Sequence, residues 1–319
     1  MVNKLAVIAL GGNALLRDNE KGTIEEQEKH TSETLENLIF LIKAGYDLIV
    51  THGNGPQVGN ILMRNDAGEQ VYGISPMPLD ICVADSQGGI GYMIERTFRN
   101  ILIRHGIKRN VVTVVGMVEV EAEDPAFKNP TKRIGMYYSE QQARQLTIEK
   151  GWLFKLSKQS DKGWRRVVAS PAPKTIFNLE LIRGLARQGN IVIACGGGGI
   201  PVYSDQNNEI RTIDAVIDKD LASALLAHQV KANEFYILTN VPFIYKNFGL
   251  PSQEKLEFLD YKDTLKYLEE GSFGEGSMAP KITAALAFIK NGGEKSIITE
   301  ASKLEDKSYG SKITMEYGM

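Results

Sequence analysis

The chain has 319 residues, 43% of them hydrophobic and 24% charged, with a formal net charge of −2; that is enough apolar material for a large core and excludes a disordered chain. The near-neutral balance offers no basic field for gathering nucleic acid, so any cation that matters must act locally. No apolar run approaches the roughly 20 residues that span a bilayer, and Leu5–Leu10 is too short for a secretory core and runs into glycines; the expectation is a cytoplasmic protein with no membrane and no nucleic-acid partner.

Strand and helix patterns alternate along the chain. Lys4–Leu10 reads as a buried strand that ends in Gly11-Gly12-Asn13. Ser32–Ala44 carries Leu35, Leu38, Ile39 and Ile42 at helical spacing and stops at Gly45. Asp47–Thr51 is the next strand and leads into His52-Gly53-Asn54-Gly55-Pro56. Ile90–Arg104 reads as a helix, Asn110–Val115 as a β-branched strand, Leu179–Gln188 as a helix, and Ile191–Cys195 as a buried strand before four glycines, Gly196 to Gly199. Lys219–His228 is a helix, Glu234–Leu238 a strand, Leu256–Glu269 a mixture of loop and helix, Ala279–Lys290 a helix and Lys295–Ile298 the last strand. Met117–Pro173 breaks the rhythm with four prolines and both tryptophans, which suggests a small protruding subdomain with a hairpin at Lys155–Arg166 turning around Ser160-Asp161-Lys162-Gly163. A second hairpin is expected at Val202–Ile213. Wholly apolar strands between helices imply an α/β fold, a mostly parallel sheet covered on both faces. Ligands of such sheets bind at the carboxyl ends of strands, where all three glycine joints fall.

The chemistry-bearing motifs are few. No GxxxxGK[ST] or GxSxG occurs, the four histidines (His30, His52, His105, His228) are scattered without metal spacing, and Cys82 and Cys195 read as small hydrophobes in strand-like surroundings. A GxGxxA string at Gly274–Ala279 follows a polar segment instead of a strand and is a weak dinucleotide signal. What remains is three glycine joints, whose N–H groups can approach an anion, and three lysines. Lys132 sits in a proline-stiffened loop, where a lone lysine is ordinarily a solvated charge. Lys219 lies where an apolar strand end meets a helix start, behind Asp218 as N-cap. Lys281 opens a helix just after Pro280. Glycine turns with placed ammonium groups suit phosphoryl transfer, which needs positioning and charge neutralisation more than covalent chemistry.

Taken together, Leu10-Gly-Gly-Asn-Ala-Leu15, Thr51-His-Gly-Asn-Gly-Pro-Gln-Val-Gly59, Ser86-Gln-Gly-Gly-Ile-Gly-Tyr92, Pro130-Thr-Lys-Arg-Ile-Gly135, Ala194-Cys-Gly-Gly-Gly-Gly-Ile-Pro-Val202, Val216-Ile-Asp-Lys-Asp-Leu-Ala-Ser223 and Gly276-Ser-Met-Ala-Pro-Lys281 resemble the carbamate kinases of the amino acid kinase superfamily. The resemblance covers nearly the whole chain. It implies a three-layer αβα sandwich and one amino-acid-kinase-like domain. That domain comprises an N-lobe to about residue 212, a protruding subdomain at about 117–173, and a nucleotide lobe from about 213. It implies phosphoryl exchange between carbamoyl phosphate and ADP, giving ATP and carbamate, in arginine or purine catabolism, with Mg2+ held by phosphate oxygens and water, in a homodimer. Gly11, Gly12, Asn13, Gly53 and Asn54 would hold the substrate. Lys132, Lys219 and Lys281 would neutralise charge, and Asp218 would orient the lysines. Thr239, Asn240, Val241, Tyr245, Gly276 and Met278 would carry the nucleotide. Where the family usually has proline after the loop lysine this chain has Arg133, and where it usually has aspartate in the nucleotide lobe it has Asn240.

Two other readings compete. One is a kinase of the same superfamily acting on another small carboxylate, which would require changes near Asn54 and Gln87. The other is a non-catalytic regulator that binds nucleotide or carbamoyl phosphate, which would have no use for three transition-state cations.

Overall fold

The computed structural model describes residues 3–16, 20–54, 57–157, 163–273, 278–306 and 308–316, and of Asn13 the backbone alone. Strand β1 (Leu5–Ala9) leads to a 3-10 turn at Gly12–Ala14. Helix α1 (Ile24–Glu36) starts eight residues before its expected beginning, because Thr23 and Glu26 form a reciprocal capping box that supports a turn with little apolar face. It breaks at Asn37 before α2 (Ile39–Lys43), which leads to β2 (Asp47–Thr51).

Helix α3 (Gln57–Tyr72) escaped the periodicity reading because it buries only Val58 and Gly59 among its described side chains. Helix α4 (Leu79–Arg104) starts eleven residues earlier than expected and absorbs Gly88, Gly89 and Gly91. A Cβ on Gly91 would stand 2.3 Å from the Thr113 methyl, so that glycine lets the helix approach the sheet. Cys82 is therefore helical and not strand-like, though it is fully buried as expected.

Next come β3 (Val111–Thr113), β4 (Met117–Val120), β5 (Lys132–Tyr138), α5 (Glu140–Lys150), β6 (Leu153–Leu156), β7 (Trp164–Val168) and β8 (Pro173–Ile176). They are followed by α6 (Leu179–Arg187), β9 (Ile191–Ile193), β10 (Ile200–Ser204), β11 (Ile210–Thr212), α7 (Lys219–Gln229) and β12 (Glu234–Thr239). The chain closes with β13 (Ile244–Lys246), β14 (Glu254–Leu256), β15 (Phe258–Asp260), α8 (Tyr261–Glu269), α9 (Met278–Lys290), β16 (Lys295–Glu300) and β17 (Ser311–Thr314).

The main sheet has the order β15-β17-β16-β12-β1-β2-β9-β3. All its pairings are parallel except β16 with β17. Alternate residues of β1 feed opposite cores: Leu5, Val7 and Ala9 join α6, α7 and α9, while Ala6 and Ile8 join α1, α2 and α4. Both faces are thus covered, which is why the strand reads as an unbroken apolar run, and the three-layer α/β sandwich follows.

The expected protrusion divides. Its ends, β4 and β8, belong to a four-stranded sheet with β10 and β11. Residues between them form a separate three-stranded sheet, β5-β7-β6, with α5 against it. Both expected hairpins form, β6 with β7 and β10 with β11, although residues 160–162 of the first turn lie outside the described ones. A small apolar cluster, including Val58, Cys82, Ile134, Val168 and Val216, seats the outlying sheet on α3 and α4.

Candidate active site

The carboxyl ends of β1, β2 and β9 stand side by side, so their glycine joints meet. Leu10 N–H donates to Thr51 C=O at 2.9 Å, and Gly197 N–H donates to His52 C=O at 2.7 Å. The first joint is close-packed: a Cβ on Gly11 would stand 2.4 Å from Leu238 C=O.

The four-glycine turn does something other than present N–H groups to an anion. Gly197, Gly198 and Gly199 donate to His52, Cys195 and Gly196, so their donors are already engaged. Their glycine identity is steric. A Cβ on Gly196 would stand 2.3 Å from His52 Nε2, one on Gly197 would stand 1.8 Å from Asn54 Oδ1, and one on Gly198 would stand 2.6 Å from Ile217 C=O. Positive φ at Gly197 and Gly198 adds to that demand. The turn is a seat for the side chains of the second joint.

Asn54 is held at both ends of its amide: Ser86 Oγ donates to Oδ1 (2.7 Å), and Nδ2 donates to Gly197 C=O (3.3 Å). Gln87 is buried and clamps the Gly116 backbone through both amide groups. His52 Nδ1–H donates to Gly53 C=O at 2.9 Å. Burial pushes the imidazole pKa down to about 4, with the Lys219 charge adding to the fall and the Gly53 bond opposing it, so His52 is neutral at pH 7.

The three candidate lysines converge on the first turn of α7. Asp218 caps the helix, its Oδ1 accepting from Asp220 N–H (2.9 Å) and Leu221 N–H (3.3 Å). Its Oδ2 accepts from Lys132 Nζ at 3.0 Å, a bond from β5 of the outlying sheet to the main body. Asp220 bridges the other two: Lys219 Nζ donates to Oδ1 and Lys281 Nζ to Oδ2, the latter at 2.9 Å. The side chains of Lys219, Lys281 and Asp220 are only 16%, 15% and 7% exposed, far from the solvated surface lysine of ordinary sequences. Burial opposes the charge on Asp220, but the two ammonium groups outweigh it and hold the carboxyl down to about 2. The Lys219 amine is lowered by burial and by the neighbouring Lys281, against the pull of Asp220.

Sequence reading missed Asp220. Its signal was present in the string Asp218-Lys219-Asp220, where a second acid directly follows a lysine on a helix's first turn.

Two clefts meet here. The first, about 620 Å³, is lined by Gly11, Gly12, Thr239, Asn240, Val241, Met278 and Lys281, with Glu33 of α1, Asn37 just beyond it, Glu300 at the end of β16 and Ser302 after it. The second, about 500 Å³, is lined by Gly12, Gly53, Asn54, Lys132, Asp218, Lys219 and Asp220, with Gly59 and Met63 of α3. Gly12 lines both. Of the nucleotide candidates, Tyr245 lies on β13 beside Phe248 and does not line the first cleft, and Gly276 is outside the described residues. Among the described residues no three His, Cys, Asp or Glu side chains gather to hold a metal.

A doubly covered, mostly parallel sheet with two adjoining clefts at its strand ends, joined by buried ammonium groups, fits a phosphotransferase class. The sequence profile of the amino acid kinase family matches residues 4–300, and the chain belongs to that family. A carbamate kinase of Pyrococcus horikoshii is 46% identical over 312 residues, covering 97% of this chain and 98% of its own. The carbamate kinase-like protein YahI of Escherichia coli is 43% identical, covering 93% and 94%. The structure of carbamate kinase from Giardia lamblia bound to AMP-PNP superposes with a TM-score of 0.91 at 39% identity, covering 98% of each chain.

Proposed function

We propose that the protein is a carbamate kinase, exchanging a phosphoryl group between carbamoyl phosphate and ADP. The observation that carries this reading is the Lys219–Asp220–Lys281 bridge between two clefts that share Gly12. ADP occupies the first cleft, against Thr239, Asn240, Val241 and Met278, and carbamoyl phosphate the second, against Gly53, Asn54 and the Asn13 loop. A β-phosphate oxygen of ADP attacks phosphorus, the bond from phosphorus to the carbamate oxygen breaks, and carbamate leaves as an anion. No proton moves, so no general base is needed, in keeping with a site whose one imidazole is neutral and bonded to backbone.

The ammonium groups supply what the reaction does need. Three lysines and two aspartates leave one net positive charge at a helix N-terminus, which itself favours anions. Lys132, arriving on β5, covers the transferring group. Lys219 and Lys281 meet its charge from the two sides, while Asp218 and Asp220 aim the lysines. Mg2+ would be held by the phosphate oxygens of the nucleotide and by water and would supply further charge neutralisation; Asp218 and Asp220 already carry lysine bonds. The reading extends to a cytoplasmic homodimer serving arginine or purine catabolism. It also places the acyl phosphate in the N-lobe and the nucleotide in the lobe after about residue 213.

Incubating the protein with magnesium, ADP and carbamoyl phosphate should yield ATP. Nucleotide binding with no ATP from any acyl phosphate would favour a regulator, and ATP from a different acyl phosphate alone would favour a related kinase. Lys219→Ala and Lys281→Ala should each lower turnover by more than tenfold, about 2–4 kcal/mol of transition-state stabilisation, with an unchanged circular dichroism spectrum.

A further inference from the structure

Thr51 and Ser223 share a hydrogen bond of 2.6 Å between their hydroxyl oxygens, and both residues are fully buried. Ser223 Oγ also lies 2.6 Å from Lys219 C=O. A carbonyl can only accept, so the single Ser223 proton goes to Lys219, and Thr51 must donate to Ser223. The direction of the chain is therefore fixed: Thr51 O–H to Ser223 O–H to Lys219 C=O.

Its two ends matter. Thr51 ends β2 and opens onto His52, Gly53 and Asn54. Its own carbonyl accepts from Leu10, just before Gly11 and Gly12, and the next carbonyl accepts from Gly197. Lys219 is the first residue of α7. That helix packs mainly on β1, β8, β12, α9 and the four-glycine turn, so the hydroxyl chain is a direct tie from β2 to it. We infer that Thr51 and Ser223 are positioning residues, a buried hydroxyl relay that sets the Lys219 ammonium against the Gly53–Asn54 cradle and so fixes the distance over which the phosphoryl group travels. The inference rests on the kinase reading for its catalytic consequence, but the placement of Lys219 can be measured without it.

Thr51→Val keeps the shape and removes the donor; Ser223→Ala removes the middle link and raises helix propensity. Each should lower kcat about tenfold, because small misplacements at a reacting centre are costly, while KM for both substrates stays within about twofold. The double variant should be no slower than the worse single one, since both changes break one chain, and Thr51→Ser should restore turnover to within about twofold. Independently, the Lys219 Cε resonance in 13C-lysine-labelled protein, assigned by its loss in Lys219→Arg, should titrate differently from the wild type in both variants and normally in Thr51→Ser. If that titration is unchanged in both, the relay does not position Lys219 and the inference is overturned; additive kcat losses would overturn it equally. If the wild type makes no ATP from carbamoyl phosphate, the kinase reading fails, and the lysine titration still decides the relay.

Discussion

Asp220 shows what a single carboxylate does between two buried ammonium groups. With it, Lys219 and Lys281 share a counter-ion; without it they lose the one carboxylate that bonds to both. Asp220→Asn should cost roughly 3 kcal/mol of stability, the order expected when one partner of a buried ion pair is removed, and should cut turnover more than Asp218→Asn does. Urea unfolding and initial rates of ATP formation measure both. His52 carries a separate signature. The unfolded imidazole takes up a proton near 6.5 and the folded one near about 4, so the unfolded state binds more protons in that window and stability is lost as pH falls through it. The shift corresponds to about 3 kcal/mol. His52→Gln lacks this contribution, so the wild type should lose about that much more stability than the variant between pH 7.5 and pH 4; parallel pH profiles would show that folding leaves the imidazole pKa unshifted. Residue types were legible where chain chemistry was odd, as at Lys219 and Lys281. They were illegible where only a partner gives them meaning: nothing in the sequence pairs Thr51 with Ser223, 172 positions away.

Among the elements, those with an apolar stripe or an all-apolar run were read nearly in place: α6, α7, α9, β1, β2, β9 and β12 all fall within a residue or two of expectation. The elements missed include α3 and the first turns of α1 and α4, whose outward faces are polar or glycine-rich and whose packing is set by distant partners, and β17, which follows the strand expected to be the last. Gly59 on α3 is one such case, its missing Cβ leaving only 3.1 Å to Gly135 Cα. Glycine misled in the four-glycine turn, which was read as an anion cradle when most of its donors serve the protein; Gly88 and Gly89, by contrast, lie inside α4, ahead of its expected start at Ile90. The two kinds separate by substitution. Gly89→Ala, mid-helix with no atom within 4 Å of the new Cβ, should stabilise by about 0.5–1 kcal/mol. Gly197→Ala, at φ 67° and against Asn54, should lower the melting temperature and raise KM for the acyl phosphate with KM for ADP little changed.

At the scale of the molecule, the β-α alternation announced the sandwich, but the strand order, which interleaves both halves of the chain, depends on crossovers that leave no local trace. The outlying sheet matters because Lys132 rides on it. Besides Lys132 with Asp218, ion pairs fasten it at two further side chains: Lys150 of α5 reaches Asp66 (3.4 Å) and Glu69 (2.8 Å) on α3, and Arg166 of β7 reaches Asp214 (3.3 Å). Trp152 lies beneath both cations, 4.0 Å from the Arg166 guanidinium carbon and 5.0 Å from Lys150 Nζ. Partly exposed pairs contribute under about 1 kcal/mol each, so Lys150→Ala should leave the fold intact, speed hydrogen exchange along β5, and raise KM for the acyl phosphate a few-fold without touching ADP.

Among the described residues Gly12 alone lines both clefts, and a Cβ placed there would find no described atom within 4 Å. The architecture therefore has no stake in what side chain stands at this position. An added methyl should be invisible to a calorimeter yet would project into the open space where the two clefts meet. Gly12→Ala should melt with the parent protein and fail as a catalyst, marking a spot where emptiness itself is the working part.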